Sequence, residues 1–585
     1  MPEQTVIDKL KRTALIKNYL TRIFFAAALV SVLLVIYDIG FEQPAGREQT
    51  LRSFYMTVLA ILAVLLMVRY FFTKRWLKLM VWPFDLLFVL FVAGLWVHHA
   101  GLATIEVLRD ETWMHLFIFY IFLRELSGFK FKLNLNPAQM FLAGFLTIIL
   151  LGTLLLMLPN ATHTGISPVD ALFTSTSAVC VTGLIVVDTG SFFTPTGQII
   201  LLLLIQVGGI GIMTFTSYFS YFFKGRVSYE SQLILRDVGT TSKVGDVLST
   251  LKKIILFTFA IEAVGAIFIF ASLDAEVIPA TGNRIFFSVF HSVSGFCNAG
   301  FSTLSESLYA PAFRFNYSLH LIIAFLFILG GIGFPIVFNF FLYLKYAVMN
   351  LLFRRKKIYL HWVLSINTRI VVVTTLALLV VGTAGFYTLE YHNTLADHRG
   401  WGKMVTAFFG AATPRTAGFN TVNTSALSST TLLFVIFLMW VGASPSSTGG
   451  GIKTSAFAVG VLNFFSISKG MDRIEAFRRE ISDMTVRRAF AIIVLSLLVI
   501  GVSILLLSFF EPDKKLMAVA FESFSAFSTV GLSMGITGEL SVAGKLVLVI
   551  TMFVGRVSML TILIAFLRRV RYLQYRYPSE SIYIN

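Results

Sequence analysis

From about residue 20 onward the chain alternates apolar runs of about twenty residues with short polar connections. A hydrocarbon core of about 30 Å, crossed by a helix rising about 1.5 Å per residue, needs roughly 20 such residues. The pattern therefore predicts membrane-spanning helices, beginning with "RIFFAAALVSVLLVIYDIG" from Arg22 and followed by runs at 55–72 and 79–97. A fourth, less regular run covers 113–126. Although the first run follows a basic leader, it is long and has no evident small-residue cleavage site, so it reads as a retained anchor.

Beyond residue 132 the pattern repeats. Four glycines, Gly183, Gly300, Gly418 and Gly531, lie 117, 118 and 113 residues apart. Ten positions before each stands a phenylalanine (Phe173, Phe290, Phe408, Phe521), and six positions before each stands a small residue (Ser177, Ser294, Ala412, Ser525). Each glycine follows an apolar segment of about a dozen residues set between two long spans. A dozen helical residues cover about 18 Å, too little to cross a bilayer, so each segment must enter and return on one side. The first opens with Ser167, Pro168 and Asp170, a helix-start signature, and Glu511–Lys515 reads as the fourth copy's counterpart.

Non-helical backbone at membrane depth is tolerated only inside protein or along a water-filled path. Four such loops can surround one axis, where glycine frees the backbone to turn carbonyl oxygens inward. A carbonyl ring replaces the hydration shell of a monovalent cation, as the TVGYG loops of potassium channels do. Thr529, Val530 and Gly531 match the first three letters of that motif, with Leu532 in the tyrosine's place.

Composition supports a membrane setting: 57% of residues are hydrophobic and mean hydropathy is +0.82. The net charge of +17 sits mostly between spans, in clusters at 9–22, 74–78, 130–132, 224–253, 345–357, 469–488 and 568–576. This alternation places both termini in the cytoplasm and makes a lipid bilayer, not nucleic acid, the expected surroundings. Cys180 and Cys297, the two cysteines, lie in apolar segments and suggest neither metal site nor disulfide.

The motifs "STSAVCVTGL", "GFCNAGFSTL", "TPRTAGFNT" and "FSTVGLS" resemble the four filter segments of the Ktr/Trk/HKT superfamily of potassium transporters. That resemblance runs from about Pro137 to the C-terminus and implies an all-α polytopic membrane protein. Its fold is four tandem helix–pore-loop–helix repeats in pseudo-fourfold arrangement around one pore, preceded by extra N-terminal helices. The expected divisions are 1–132, 133–245, 246–360, 361–485 and 486–585. Carried over to this sequence, the selectivity filter comprises Val181, Thr182 and Gly183; Asn298, Ala299 and Gly300; Thr416, Ala417 and Gly418; and Thr529, Val530 and Gly531. Potassium is the implied cargo, held at backbone carbonyls, with no cofactor in this chain. In the family a serine in the first filter accompanies sodium preference, so Gly183 argues for potassium.

Between 427 and 467 an apolar stretch is interrupted by "GASPSSTGGGIKT", whose glycines and proline resist helix continuation. It is similar to the family's intramembrane gating loop, assigning Gly442, Ser444, Pro445, Ser446, Ser447, Thr448, Gly449, Gly450, Gly451 and Lys453 to a gate below the filter. The serines and Thr448 are expected to offer hydroxyls to partners inside the pore. Smaller interruptions at 208–211 and 330–335 are expected to serve close helix packing, with hinges as the alternative. Arg556, a lone charge in an apolar span, is a functional candidate by default and resembles the family's pore arginine. Ser558 and Met559 replace the Gly-Pro that usually follows it. Glu262 is the other buried charge, with Arg556 and Lys453 as possible partners.

The first 130 residues lack the regularly spaced arginines of a voltage sensor and are expected to pack peripherally. An alternative within transport is a sodium-selective or sodium-coupled cation transporter. A membrane enzyme using His291 and Ser292, or Glu522 and Ser523, is the distant alternative, since no metal spacing or nucleophile elbow accompanies them. The resemblance implies a homodimer resting on a cytoplasmic nucleotide-binding regulatory ring, a KtrA/TrkA-like partner, and a cell-membrane location. The basic segment 568–576 suits such docking or lipid headgroups.

Overall fold

The computed structural model describes residues 2–44, 47–72, 83–99, 111–128, 137–224, 244–274, 276–352, 365–557 and 562. The basic segments 74–78, 130–132 and 568–576, together with Ser558 and Met559, lie outside them. The chain forms two compact units, Met1–Asn134 with Leu158–Asn160, and Leu135–Met157 with Ala161–Asn585. Seven described helices are long and apolar enough to cross a membrane, or eight if one bent pair counts as a single span. The protein is a multi-pass, all-α membrane protein.

The first unit contains α1 (Pro2–Gly40), α2 (Arg47–Phe72), α3 (Pro83–His99) and α4 (Glu111–Gly128). The fourth apolar run is thus a regular helix, carrying Glu111, Arg124 and Glu125. Phe24, Leu59, Leu62, Phe88, Ile118 and Ile121 fill the interior. Among the described residues, charges enter that interior with partners, as burial requires. Asp85, fully buried, accepts hydrogen bonds from the hydroxyls of Tyr70 (2.6 Å) and Tyr120 (3.0 Å) and pairs with Arg124 at 2.9 Å. Arg69 donates to both oxygens of Glu125 at 2.6 and 2.8 Å. Toward the other end Asp38 accepts from Tyr55 at 2.8 Å and lies 3.3 Å from His115.

The second unit contains the four repeats. Repeat one comprises α5 (Pro137–Leu156), the short α6 (Pro168–Val179) and α7 (Pro195–Lys224). Repeat two comprises α8 (Val244–Ser272), the short α9 (Thr281–Phe296), α10 (Tyr317–Ile332) and α11 (Phe334–Leu352). In repeat three, α12 (Ile366–Glu390) and the short α13 (Trp401–Ala412) precede α14 (Ser429–Trp440) and α15 (Thr454–Ser468). A two-stranded hairpin, Glu475–Ala476 against Arg479–Glu480, leads to repeat four: α16 (Asp483–Phe510), the short α17 (Leu516–Ser528) and α18 (Val542–Val557).

Local sequence accounts for several of these boundaries. Ser167 caps α6, its hydroxyl accepting from the Asp170 amide at 3.1 Å, with Pro168 in the first turn. The fourth repeat differs from expectation, because α17 starts after Lys515 with no side-chain cap, and Glu511 instead accepts from the Ser541 amide at 2.7 Å. Glycines 208–211 do not interrupt α7: Gly208 packs against the Val179 backbone and Gly209 against the Cys297 side chain, the close helix packing expected of them. At 330–335 the outcome is a break rather than packing alone. The chain bends by 102° between α10 and α11, with Gly333 at φ +86°. That left-handed conformation, which L side chains rarely adopt, is the physical reason for glycine there.

Candidate functional site: a four-segment glycine ring and the loop beneath it

Each short helix ends in a non-helical segment that carries its repeat's glycine. Gly183, Gly300, Gly418 and Gly531 have φ of 88°, 70°, 80° and 93°. Two positions before each, a residue with a side chain also takes positive φ: Val181 (53°), Asn298 (61°), Thr416 (76°) and Thr529 (50°). Such outliers persist only when surroundings over-determine them, and they concentrate at functional sites.

The four segments close on one another. A methyl group placed on Gly183 would collide with the carbonyl oxygen of Ala299, on Gly300 with that of Ala417, on Gly418 with that of Val530, and on Gly531 with that of Thr182. The contacts run from repeat one through four and back to one, so the glycines form a closed ring. All four line one cavity of about 360 Å³, with Asp188 and Glu306 on its wall. The small residues six positions earlier explain themselves here. Hydroxyls of Ser177 and Ser525 accept from the amides of Gly183 and Gly531, each at 3.1 Å, and Ser294 donates to the Phe301 carbonyl at 2.7 Å. In repeat three, where Ala412 has no hydroxyl, Thr413 donates to the Phe419 carbonyl at 2.6 Å instead.

Between α14 and α15 the chain leaves helix for residues 441–453. Val441 and Ile452 form an isolated parallel bridge across the neck, and Thr454 closes it by donating its hydroxyl to the Gly442 carbonyl at 3.1 Å. Amides of Ser444 and Thr448 donate to the carbonyls of Gly331 and Gly330 at 3.0 and 3.4 Å. The Thr448 hydroxyl donates to Asn298 Oδ1 at 2.9 Å, and the Gly450 amide donates to Thr529 Oγ1, also at 2.9 Å. Lys453 Nζ donates to the Gly449 carbonyl at 2.6 Å, and Arg556 Nη1 donates to the Thr448 carbonyl. Of the four predicted hydroxyls only Thr448's reaches a ring segment. Ser444 and Ser447 donate to carbonyls within the loop, those of Pro445 and Ser444, and Ser446 is marked by its φ of +62°.

Glu262 pairs with neither Arg556 nor Lys453. It accepts from Gln206 Nε2 at 3.0 Å and lies 3.8 Å from the Cys297 sulfur. The groups considered for an enzyme also have bracing partners. His291 Nε2 lies 2.9 Å from Ser302 Oγ, and Ser292 donates to the Glu262 carbonyl at 2.6 Å. Glu522 accepts from Ser533 (2.5 Å) and Thr537 (3.0 Å), and Ser523 donates to the Val519 carbonyl at 2.9 Å. A residue not singled out in the sequence is Arg415, beside Thr416. It donates to the Thr375 carbonyl at 3.4 Å and to Thr454 Oγ1 at 3.3 Å, tying the third ring segment to the loop's end. Its unmatched charge among apolar neighbours was the available signal.

Comparison with known proteins agrees with this architecture. Residues 111–571 match the family described as TrkH, cation transport protein. The chain is 35% identical over 452 residues to the Ktr system potassium uptake protein B of Bacillus subtilis, covering 77% of this chain and 96% of that one. It is 36% identical over 466 residues to the protein of the same name from Vibrio alginolyticus, with coverages of 78% and 96%. With the potassium/sodium uptake protein NtpJ of Enterococcus hirae it shares 35% identity over 464 residues, 77% of this chain and 98% of the relative. The crystal structure of the potassium transporter TrkH from Vibrio parahaemolyticus superposes with a TM-score of 0.59 at 17% identity, covering 88% of this chain and 97% of that one, which supports the fold. The chain belongs to the TrkH family of cation transport proteins.

Proposed function

We propose that this chain carries potassium into the cell through the glycine ring, with the 441–453 loop as the gate. The observation that carries the reading is the closed sequence of contacts from Gly183 to Ala299, Gly300 to Ala417, Gly418 to Val530 and Gly531 to Thr182. Such a ring sets backbone oxygens of four repeats side by side, the chemistry that substitutes for a cation's water shell. Asp188 and Glu306 on the cavity wall raise the local cation concentration. Loop and Arg556 together oppose passage: the loop fills the route and the guanidinium repels a cation.

Further parts of the reading rest on the relatives and the charge pattern. Two relatives are named as components of a Ktr system, which supports assembly with a regulatory subunit, here a homodimer on a nucleotide-binding ring. The distribution of Lys and Arg supports a cell-membrane protein with cytoplasmic termini. A second reading, sodium-coupled or sodium-selective transport, is favoured by the relative named as a potassium/sodium uptake protein. Rubidium uptake in cells lacking their own potassium uptake systems, with and without external sodium, tests both. Uptake that saturates with rubidium and ignores sodium supports potassium transport. Uptake that requires sodium moves the protein to the second reading, and no rubidium uptake overturns the first.

A further inference from the structure

The left-handed residues of the ring carry a pattern that filter geometry alone does not require. Backbone carbonyls coordinate a cation whatever side chain is attached, and Val181 in repeat one fills its position with an apolar group. Its three counterparts, Asn298, Thr416 and Thr529, are polar and fully buried. A buried polar side chain is costly unless it is hydrogen-bonded. Their bonds go to the loop or to one another: Asn298 Oδ1 accepts from Thr448, Asn298 Nδ2 donates to Thr416 Oγ1 at 3.2 Å, and Thr529 Oγ1 accepts from the Gly450 amide. Thr416 also bounds the space beside Gly449 so closely that a methyl group there would strike its side chain.

We propose that Asn298, Thr416 and Thr529 are positioning residues that latch the loop to the base of the ring, so that loop release and ring conformation are one coupled event. This rests on the potassium-uptake reading for its functional consequence, while the latch itself is a statement about the loop. Left-handed φ directs these side chains at the loop from the same residues whose backbones lead into the ring glycines. The loop cannot leave without breaking the Thr448–Asn298 and Gly450–Thr529 bonds in a buried setting, where a hydrogen bond is electrostatically stronger than in water. By linkage, anything that fixes the ring backbone, an ion included, changes the loop's equilibrium, and loop release changes the ring in return.

The test uses the full-length protein and two substitutions on opposite sides of the latch. Thr529→Val is sterically mild, because valine already occupies the equivalent left-handed position at Val181. Thr448→Val removes the loop's donor to Asn298. Each is expected to raise maximal rubidium uptake per transporter about fivefold, the factor corresponding to one lost neutral hydrogen bond. By the same linkage the half-saturation concentration should shift together with the rate, and Thr529→Ser, which keeps the acceptor hydroxyl, should shift both less than Thr529→Val. A wild-type rate in both valine variants, or a changed ion ratio without a changed rate, overturns the latch.

A second measurement is independent of transport. With Ser446→Cys as a reporter in the partly exposed part of the loop, Thr529→Val should speed labelling by a small polar thiol reagent by a similar factor. Unchanged labelling overturns the latch even if uptake rises. Failure of the wild-type protein to take up rubidium would sink the potassium reading while the labelling comparison still decides the latch.

Discussion

A Cβ placed on Gly531 would meet the carbonyl oxygen of Thr182, so the last repeat closes directly onto the first. A side chain at any ring glycine therefore displaces a neighbour's carbonyl as well as straining its own left-handed backbone.

Gly183→Ser combines both effects. Its Cβ would strike the Ala299 carbonyl, and its φ of +88° strains any L residue. Strain of about 1–3 kcal/mol, falling on the ion-bound ring, corresponds to a loss of roughly fivefold to 150-fold in preference for the fitted ion. We expect the ratio of rubidium to sodium uptake to fall accordingly in whole-cell flux, and an unchanged ratio would separate this glycine from ion selection.

The repeat, the ring glycines and the loop are legible in the sequence because glycine at a constant period is a backbone signal. The left-handed conformations of Val181, Thr416 and Thr529 are not, since of the four residues at this position only Asn298 is of a type that favours positive φ. They are imposed by the ring's closure, a tertiary effect. Gly333 was visible as a glycine, but whether it packs or breaks a helix depends on the Ser446 and Ser447 backbone lying against it. Glu262 posed a similar limit: its nearest match in sequence is a cation, yet folding brings Gln206 to it. At the fourth repeat, Glu511 occupies a cap-like place in sequence and is drawn instead to the Ser541 amide.

In the four-helix unit Asp85 satisfies two tyrosine hydroxyls and Arg124 at once. Asp85→Ala leaves Arg124 without that partner in an apolar interior. Breaking a buried pair costs about 3–5 kcal/mol, enough to lower the melting temperature of the detergent-solubilised protein. Asp85→Asn, which retains a hydrogen-bond acceptor, should lose less. Equal melting for wild type and the alanine variant would show that the network contributes nothing to stability.

His398, in the connection between α12 and the third short helix, lies 3.0 Å through Nδ1 from the Tyr317 hydroxyl. Burial and the nearby Arg314 hold its imidazole below the usual range, with Asp397 opposing and Lys403 adding to the shift. The unfolded chain, titrating near about 6.5, then binds the proton more readily than the fold does. Stability is therefore fully present above that value and lost as pH falls through it. Thermal melting should drop between about pH 7 and 5, and His398→Gln should flatten that dependence. An identical profile in the variant would assign acid sensitivity to other groups.

Arg556 donates to the Thr448 carbonyl of the loop, while its Nε and Nη2 are buried without a hydrogen-bond partner in the described structure. Holding the loop is thus its one hydrogen-bonding contact with the described protein, and in the proposed reading its charge also opposes a cation leaving the ring. Arg556→Gln removes the charge and weakens the anchor together. A hydrogen bond from a charged donor contributes about 1.5–3 kcal/mol, so release of the loop should raise maximal rubidium uptake by roughly tenfold or more. Arg556→Lys separates the two roles: it keeps the charge but loses the planar guanidinium, and should give a smaller rise. Glutamine and lysine variants with equal rates would assign the effect to anchoring alone. Wild-type uptake in both would remove Arg556 from the gate and leave it a packing residue of α18.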